Sequence, residues 1–372
     1  MEVLQYENSR NSLFDIAKGL FICFVVAGHC YAPYYQFYTS FHVLFFFILA
    51  GVFFKDKYIT TINDLKSYII KIWRRYAIPY ILCNISFLAF YNFFIQHHII
   101  THDNRIQTIH YLTSNDIILK MVQHCLLISS SEQLCGATWF LKSLFWGLLS
   151  FSILKFITQK INKYCLYGLI IIAAFLVTFY INNNFVFYYF QALVLLSIGA
   201  VIKNIKFNTL FKESFLWVII LAIVICFLQF VNLKMLQVVL LGFCGFYFAI
   251  FLSDIINKSS KFLSKLFEYL GKHTMCILCL HLFAFKFITY LLIRYNHLSI
   301  DTLGTFPAIQ QSFGIAFLYL LSGICLPICG VKLYEFFKKH FWNDYNFIQK
   351  AFWTALIYGN FVLKYVKAKV KR

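Results

Sequence analysis

The sequence predicts an all-α fold, a polytopic transmembrane bundle of about ten helices with both termini in the cytoplasm. Three observations support this prediction: 61% of the 372 residues are hydrophobic, only 13% are charged, and the apolar residues are gathered in long windows. Soluble domains carry about 25% charged residues, so a chain of this composition has too few polar groups to cover a surface that faces water. Most of the surface must therefore face lipid.

A transmembrane helix needs about 20 consecutive apolar residues, and ten windows of the sequence approach this length. They are Leu13–Tyr34, Phe37–Phe54, Ala77–Ile95, Thr138–Ile157, Cys165–Ile181, Phe185–Ile202, Phe215–Val231, Leu236–Leu252, Thr274–Ile293 and Phe313–Val331. The second, sixth and seventh windows are short enough for a tilted or partly re-entrant helix. The first window is too long for the apolar region of a cleavable signal peptide, which has about 7–15 residues.

Basic residues give these windows an orientation. Clusters of Lys and Arg follow every even-numbered window, at residues 55–75, 155–163, 203–212, 258–272 and 332–339, whereas the loops after odd-numbered windows are nearly bare. Positively charged loops stay in the cytoplasm, so the alternation predicts a multi-pass protein of the cell (inner) membrane with a cytoplasmic N-terminus. The formal net charge of +19 then reflects topology and contact with membrane lipid, and no nucleic-acid partner is predicted.

Two domains are predicted, a transmembrane bundle at residues 1–336 and a tail at residues 337–372. The tail mixes aromatic residues with Lys, a composition that favours a cytoplasmic segment or a helix lying on the inner leaflet. Twelve Cys are scattered through the chain. The single C-x-x-C, Cys276 and Cys279, lies inside an apolar window without a second ligand pair, so it favours packing over metal binding.

The first window contains ionisable residues, which are rare and usually functional inside transmembrane helices. Asp15, Lys18 and His29 lie in this window, and Gly19 and Gly28 flank Lys18 and His29. The eleven residues from Lys18 to His29 make about three turns, so both side chains lie on one face and about 16 Å apart. Alternatively, Lys18 extends to the membrane interface and His29 donates a structural hydrogen bond.

Two further histidines are predicted at a similar or central depth. His42 enters the second window from the outside, and His281 lies about nine residues beyond Lys272 in the ninth window. Because three imidazoles are unlikely to face lipid, a polar cavity inside the bundle is predicted. Histidine acts as a general base near neutral pH. His281 either lines this cavity or has a structural role.

The longest loop on the outer side runs from about Gln96 to Ala137 and is predicted to face water. It contains five irregularly spaced histidines, which give only a weak indication of a metal site: His97, His98, His102, His110 and His124. The same loop is a place where an acceptor outside the cytoplasm could be held, with Glu132 as a candidate contact. Trp139, just beyond the loop, is either an interfacial belt residue or a platform for a sugar.

Five segments occur in a recognisable order along the chain. They are Asp15-x-x-Lys18-Gly19 with His29, Phe41-His42 through Gly51, Arg74-Arg75 through Pro79-Tyr80, Trp139-Phe140-Leu141 through Leu144, and Gly271 through Thr274 to His281. Together they resemble the membrane acyltransferase 3 family, whose first helix usually carries Asp, then Arg-Gly, then His. Lys18 departs from the usual Arg and keeps the charge without the planar fork. Ala50 departs from the usual Ser and lacks its hydroxyl.

The resemblance implies transfer of an acyl group, usually acetyl, from cytoplasmic acyl-CoA to a sugar hydroxyl of a surface polysaccharide or its lipid-linked precursor. His29 would be the general base, and Lys18, Arg74 and Arg75 would bind the phosphates of the donor. His42, Trp139, Glu132 and His281 would line the cavity or bind the acceptor. Acyl-CoA is a co-substrate, and no tightly bound cofactor or metal is implied. Arg74 and Arg75 are equally explained by membrane topology.

Two other function classes remain compatible with the sequence. A transporter or flippase of a lipid-linked glycan would also be basic and polytopic, although such proteins usually contain internal repeats, which this sequence does not show. A non-catalytic membrane partner of an envelope assembly would tolerate losses such as the hydroxyl at Ala50. The sequence leaves open the acceptor sugar, the acyl group and the choice between direct transfer and a covalent intermediate.

Overall fold

The computed structural model describes residues 2–100, 103–104, 107–108, 110–159, 161–180, 184–203, 213–231, 233–309 and 312–341. Two compact units divide the chain, Met1–Ile324 and Cys325–Arg372, and the first contains every candidate site residue. The predicted tail lies outside the described residues beyond Phe341, so its interfacial helix stays a prediction.

Eight α-helices cover the first part of the described chain. They are α1 (Glu2–His29), α2 (Tyr35–Thr39), α3 (His42–Val52), α4 (Ile62–Ile72), α5 (Ile78–Ala89), α6 (Tyr91–Gln96), α7 (Ser114–Cys125) and α8 (Trp139–Ile157). A π-helical turn, Trp73–Ala77, joins α4 to α5, and 3₁₀ turns occur at Asp56–Tyr58 and Gln133–Thr138. A two-residue antiparallel pair, β1 (Asp103–Asn104) and β2 (Gln107–Thr108), aligns Asp103 with Thr108.

Seven more α-helices follow in the second part. They are α9 (Lys163–Tyr180), α10 (Asn184–Ile202), α11 (Ser214–Gln229), α12 (Met235–Ser259), α13 (Lys261–Lys272), α14 (Thr274–Asn296) and α15 (Phe313–Phe341). A further 3₁₀ turn lies at Ile300–Gly304. The all-α fold class predicted from the sequence is confirmed.

Six helical segments of the described chain are long and apolar enough to cross a membrane. They are Ser12–His29, Tyr35–Val52, Gln133–Ile157, Met235–Ser259, Thr274–Asn296 and Phe313–Phe336. Three shorter apolar helices, Lys163–Val177, Val186–Ile202 and Ser214–Gln229, match the fifth, sixth and seventh windows. The chain is therefore a multi-pass membrane protein, while the number of ten crossings and the sides of the termini stay predictions.

The third predicted window differs most from the observed helix. The helical path begins at Ile62, where Thr61 and Asp64 form a reciprocal capping box, and continues through the π turn to Ala89. Pro79 lacks an N–H group, and its ring would clash with the carbonyl four residues earlier in a regular helix. The π turn directly before it changes this spacing. The helix then breaks at Phe90, before the short α6.

Glycines allow three pairs of helices to approach closely. A methyl group on Gly19 would overlap the carbonyl oxygen of Phe267, and one on Gly271 would overlap the carbonyl oxygen of Asp15. Thus α1 and α13 cross backbone against backbone at these two glycines. A methyl group on Gly28 would lie 2.5 Å from Cγ2 of Thr39, which brings α2 against the end of α1. Gly51 likewise brings α3 against α10.

Candidate functional site

The three membrane histidines predicted from the sequence come from separate helices and lie together. His29 is the last residue of α1, His42 is the first of α3, and His281 lies in the middle of α14. The ring centroids of His29 and His281 are 5.2 Å apart, with an angle of 36° between the ring planes. His42 lies within electrostatic range of His29. The imidazoles predicted inside the bundle therefore lie near one another, while the polar cavity predicted around them stays a prediction.

Backbone carbonyls fix the orientation of two of these rings. Nδ1 of His42 lies 3.0 Å from the carbonyl oxygen of Tyr38, and Nδ1 of His281 lies 2.9 Å from that of Ile277. A carbonyl oxygen only accepts hydrogen bonds, so each Nδ1 carries the hydrogen. In the neutral ring, Nε2 then keeps its lone pair and is available to accept a proton. The fold thus presents two imidazoles as acceptors beside His29.

A tight turn between α1 and α3 returns His42 to the level of His29. Tyr31 and Tyr34 adopt left-handed backbone conformations, with φ of 53° and 60°, and α2 occupies the rest of the turn. The hydroxyl of Tyr38 donates a hydrogen bond of 3.1 Å to the carbonyl of Ala32, which holds α2 against the turn. Local sequence therefore places two of the three histidines, and only His281 comes from a distant segment.

Close packing encloses the histidines on the side of α15. A methyl group on Gly323 would lie 2.6 Å from Phe285 and 2.7 Å from Val26, so α15 can lie against both α1 and α14. The same position lies 3.4 Å from Cβ of His281. Because the side chain of His281 is completely buried and that of His42 is 7% exposed, the two rings are separated from bulk solvent.

A second feature is an open cleft that combines positive charge with aromatic rings. It is lined by Ala50, Phe53, Tyr58, Tyr68, Lys71, Ile72, Arg75, Tyr76 and Leu148. The rings of Tyr58 and Tyr68 stack with centroids 4.7 Å apart, and Nζ of Lys71 lies 4.9 Å from the centroid of Tyr58. Cations bind phosphates, and aromatic faces bind planar rings. The cleft therefore combines the kinds of side chain that contact phosphates and planar rings.

The predicted donor-binding residues stand in different relations to this cleft. Arg75 lines it, whereas the neighbouring Arg74 on the same π turn does not, and both side chains are exposed. Such turns are frequent at functional sites. Lys18 forms an ion pair with Asp15 and lies one turn after Phe14, whose ring packs edge-on against Phe53 of the cleft at 5.2 Å. The structure thus places Arg75 in the lining of the cleft. Helix α1 reaches the cleft through the contact of Phe14 with Phe53.

The sequence around these sites also matches a known family. A family model described as an acyltransferase domain matches residues 11–332. The chain belongs to the acyltransferase 3 family. The matched range includes the histidines and the cleft residues, and it confirms the resemblance carried by the five sequence segments. Comparisons with curated proteins and with solved structures gave no significant match.

An ion cluster braces the cleft of this acyltransferase. Asp56 accepts hydrogen bonds from Lys155 at 2.7 Å and from Lys203 at 3.2 Å. Partial burial acts to raise the pKa of Asp56, but the hydrogen bonds and charges of Lys155 and Lys203 outweigh it and lower the pKa. The carboxylate stays ionised and holds the turn that carries Tyr58. Ala50, where the family usually has Ser, contributes a methyl group to the cleft wall instead of a hydroxyl.

Of the remaining predicted residues, Glu132 belongs to a separate polar cluster and Trp139 packs on another aromatic ring. Glu132 is buried, and its Oε1 lies 2.9 Å from Nε2 of His124. Nδ1 of that histidine lies 3.3 Å from the hydroxyl of Tyr80, and the amide N–H of Glu132 donates to Asn84 at 2.7 Å. The ring of Trp139 packs against Tyr188 at 4.5 Å. The partners of Glu132 and His124 tie the loop between Gln96 and Ala137 to α5. An acceptor-binding role for Glu132 and Trp139 stays a prediction.

Several residues of the cleft and of the polar cluster around Glu132 are absent from the candidates that the sequence provides. Lys71 was counted only as a topological charge, and the tyrosines of the cleft gave no separate signal. The spacing of Tyr68, Lys71, Ile72, Arg75 and Tyr76 by three or four residues along one helical path could have indicated a shared face. His124 had no such signal, because its partner Glu132 follows in a non-helical connection whose course only the tertiary structure shows.

Proposed function

We propose that this acyltransferase transfers an acyl group, most simply acetyl, from cytoplasmic acyl-CoA to a sugar hydroxyl of a cell-surface polysaccharide or its lipid-linked precursor. The observation that carries this proposal is the cluster of His29, His42 and His281 inside a bundle of the acyltransferase 3 family. A sugar hydroxyl is a weak nucleophile and needs a base within hydrogen-bond reach. His29 is that base.

The transfer balances with these groups. The sugar oxygen attacks the thioester carbonyl, a carbon–oxygen bond forms and the carbon–sulfur bond breaks. His29 takes the hydroxyl proton and returns it to the departing thiolate. The products are the sugar ester and free CoA, and the enzyme regains its starting protonation state.

The cleft supports binding of the donor. Arg75 and Lys71 supply positive charge for the phosphates of CoA, and the tyrosine rings of the cleft supply apolar faces for its adenine. We assign further donor contacts to Lys18, one turn after Phe14 on α1, and to Arg74, which neighbours Arg75 on the π turn. Lys18 and His29 are separated by about 16 Å along α1, a distance that suits the long pantetheine arm between phosphates and thioester.

Replacing Arg75 with Gln is expected to raise KM for acyl-CoA about 10- to 100-fold, since hydrogen bonds to charged groups contribute about 1.5–3 kcal/mol. KM for the acceptor should change little. Initial rates measured with purified protein in lipid nanodiscs at varied acyl-CoA concentrations check this. Lys66→Gln is the matched control, because Lys66 is an exposed cation on α4 outside the cleft lining. Equal effects of both variants would contradict specific donor binding at Arg75.

The proposal itself is tested by reconstitution. Protein in lipid vesicles, given labelled acetyl-CoA on the side of the predicted cytoplasmic loops and isolated surface glycan on the other, is expected to produce O-acetylated glycan. Mass analysis of the glycan from cells with and without the gene is expected to show the same modification. Movement of a lipid-linked glycan in vesicles without acyl-CoA, and without any glycan acylation, would instead identify a flippase.

A further inference from the structure

His281 contains a buried ring nitrogen for which the described residues provide no partner. The side chain is completely buried, its Nδ1 faces the carbonyl of Ile277 at 2.9 Å, and its Nε2 has no hydrogen-bond partner. Buried polar atoms in native proteins are nearly always paired, and an exception calls for a specific explanation. A nitrogen with a lone pair, buried beside a catalytic base, indicates a role in the handling of a proton.

His29 is the nearest ionisable neighbour identified for this nitrogen. The two rings are 5.2 Å apart between centroids, and His281 lies within electrostatic range of His29. In the part of the chain that the structure describes, the histidine–carboxylate pairs are His98 with Asp301 and His124 with Glu132. His29 is thus without the carboxylate partner that commonly orients a catalytic histidine. A neutral imidazole with a bare nitrogen can take that place, because it also accepts a hydrogen bond.

We propose that His281 is the positioning residue for His29, an inference that rests on the proposed function. Its Nε2 accepts a hydrogen bond from one ring N–H of His29 when the substrates bind. The other nitrogen of His29 is then bare and faces the sugar hydroxyl. When His29 takes the hydroxyl proton, the lone pair of His281 stabilises the resulting imidazolium. Catalytic hydrogen bonds are often long in the free enzyme and shorten in the complex, which fits the present separation.

Two variants of His281 distinguish this role from a purely structural one. His281→Leu removes the acceptor and is expected to lower kcat about 10- to 100-fold, the usual effect of removing the partner that orients a functional histidine. KM for acyl-CoA and KM for the acceptor should stay unchanged. His281→Gln restores an acceptor oxygen and is expected to recover part of kcat. Thermal unfolding in detergent reports whether each variant is folded.

A matched control is available about two helical turns before His281. His273 makes the same Nδ1 contact to a carbonyl four residues earlier, that of Tyr269, at 2.8 Å, and it lies at the start of α14. His273→Leu is expected to keep the kcat of the parent. A folded His281→Leu variant with normal kcat would overturn the proposal, and so would a rise in KM for the acceptor alone, which would indicate direct substrate contact. If the proposed function itself is wrong, the parent protein will show no acylation. This result differs from either outcome that would overturn the role of His281.

A second, independent observation concerns α7 and the bilayer. Four apolar residues of α7 and its end are at least half exposed: Ile118, Leu119, Val122 and Leu126. The next residue, Leu127, accepts a hydrogen bond of 3.3 Å from Nε1 of Trp146. Residue 146 lies 13 positions into the 25-residue apolar segment Gln133–Ile157. The end of α7 is therefore level with the middle of a membrane-spanning helix.

We infer that α7 re-enters the membrane and lays this apolar face against lipid acyl chains. The predicted water-facing loop would then face water only over part of its length. Its end contacts α8 through Trp146, and its polar residue His124 is buried against Glu132 and Tyr80. Irregular backbone at membrane depth is tolerated where protein surrounds it. The connection after α7 is held against α8 by the hydrogen bond from Trp146 to Leu127.

Brominated lipids provide the test of this second inference. Val122→Trp in vesicles of lipids brominated at mid-chain is expected to lose much of the added tryptophan emission relative to the parent. Tyr111→Trp is the control, because Tyr111 is exposed just before α7 begins; it is expected to lose far less. Quenching of Val122→Trp by aqueous iodide instead of the brominated chains would place α7 in water and overturn the inference.

Discussion

Replacement of His29 with alanine is expected to abolish acyl transfer while the protein still inserts and folds. A positioned general base accelerates proton transfer about 10²- to 10⁴-fold, which corresponds to about 3–5 kcal/mol in the activation barrier. The loss should appear in kcat, because no binding contact to the donor phosphates is removed. Labelled acetyl-CoA and isolated glycan, with protein in nanodiscs, give the rate directly.

The matched control for this variant is His110→Ala. His110 is exposed and lies in the outer loop, so its replacement should leave the rate unchanged. Unchanged acylation by the His29 variant would show that another group is the base, and His281 would be the first to test. If the His29→Ala variant fails to insert, its loss of activity says nothing about catalysis. The His29→Gln variant, which keeps a polar side chain of similar size, then tests whether His29 is the base.

Gly19→Ala is expected to destabilise the folded protein, although alanine is the better helix former. The added methyl group would overlap the carbonyl oxygen of Phe267 and lie 2.9 Å from the backbone nitrogen of Gly271. Backbone atoms of α13 cannot move aside as a flexible side chain does, so α1 and α13 must separate. Overpacking of this kind costs about 1–3 kcal/mol, more than the roughly 1 kcal/mol that alanine adds to helix stability.

Gly168→Ala separates the two effects. Gly168 lies in α9, and a methyl group there would meet no atom within 4 Å, so only the gain in helix propensity remains and the melting temperature should hold or rise. The melting temperature of the Gly19 variant in detergent should fall. Equal melting temperatures for the two variants would contradict the close crossing of α1 and α13. Because α14 begins directly after α13, this crossing also sets how His281 meets His29.

The two sites lie at different distances from the predicted cytoplasmic surface. The cleft adjoins the basic cluster of Asp56, Lys155 and Lys203, whereas His29 lies about three turns beyond Lys18 along α1. Under the proposed function, the pantetheine arm of the donor would span the distance from the cleft to the histidines. This arrangement fits a donor from one side and an acceptor from the other, which is the division that the vesicle experiment tests.

Composition by itself determined the class of the protein. A chain with 13% charged residues cannot satisfy a water-facing surface, and in lipid every backbone polar group must be paired within the protein, which apolar windows of about 20 residues achieve as helices. The all-α membrane fold follows from those two facts. The period of the helix places Lys18 and His29 on one face of α1. The short connection from His29 to His42 keeps these two histidines close together. The family assignment also needed only the sequence.

Tertiary structure decided the contacts between distant segments. The approach of His281 to His29 depends on backbone crossings at Gly19, Gly271 and Gly323, and no periodic pattern specifies which helices cross. The use of Arg75 in the cleft depends on walls from other helices, because Ala50 of α3 and Leu148 of α8 complete the lining. Helix periodicity fixes neighbours within about one turn, whereas the site is built from helices more than two hundred residues apart in the chain.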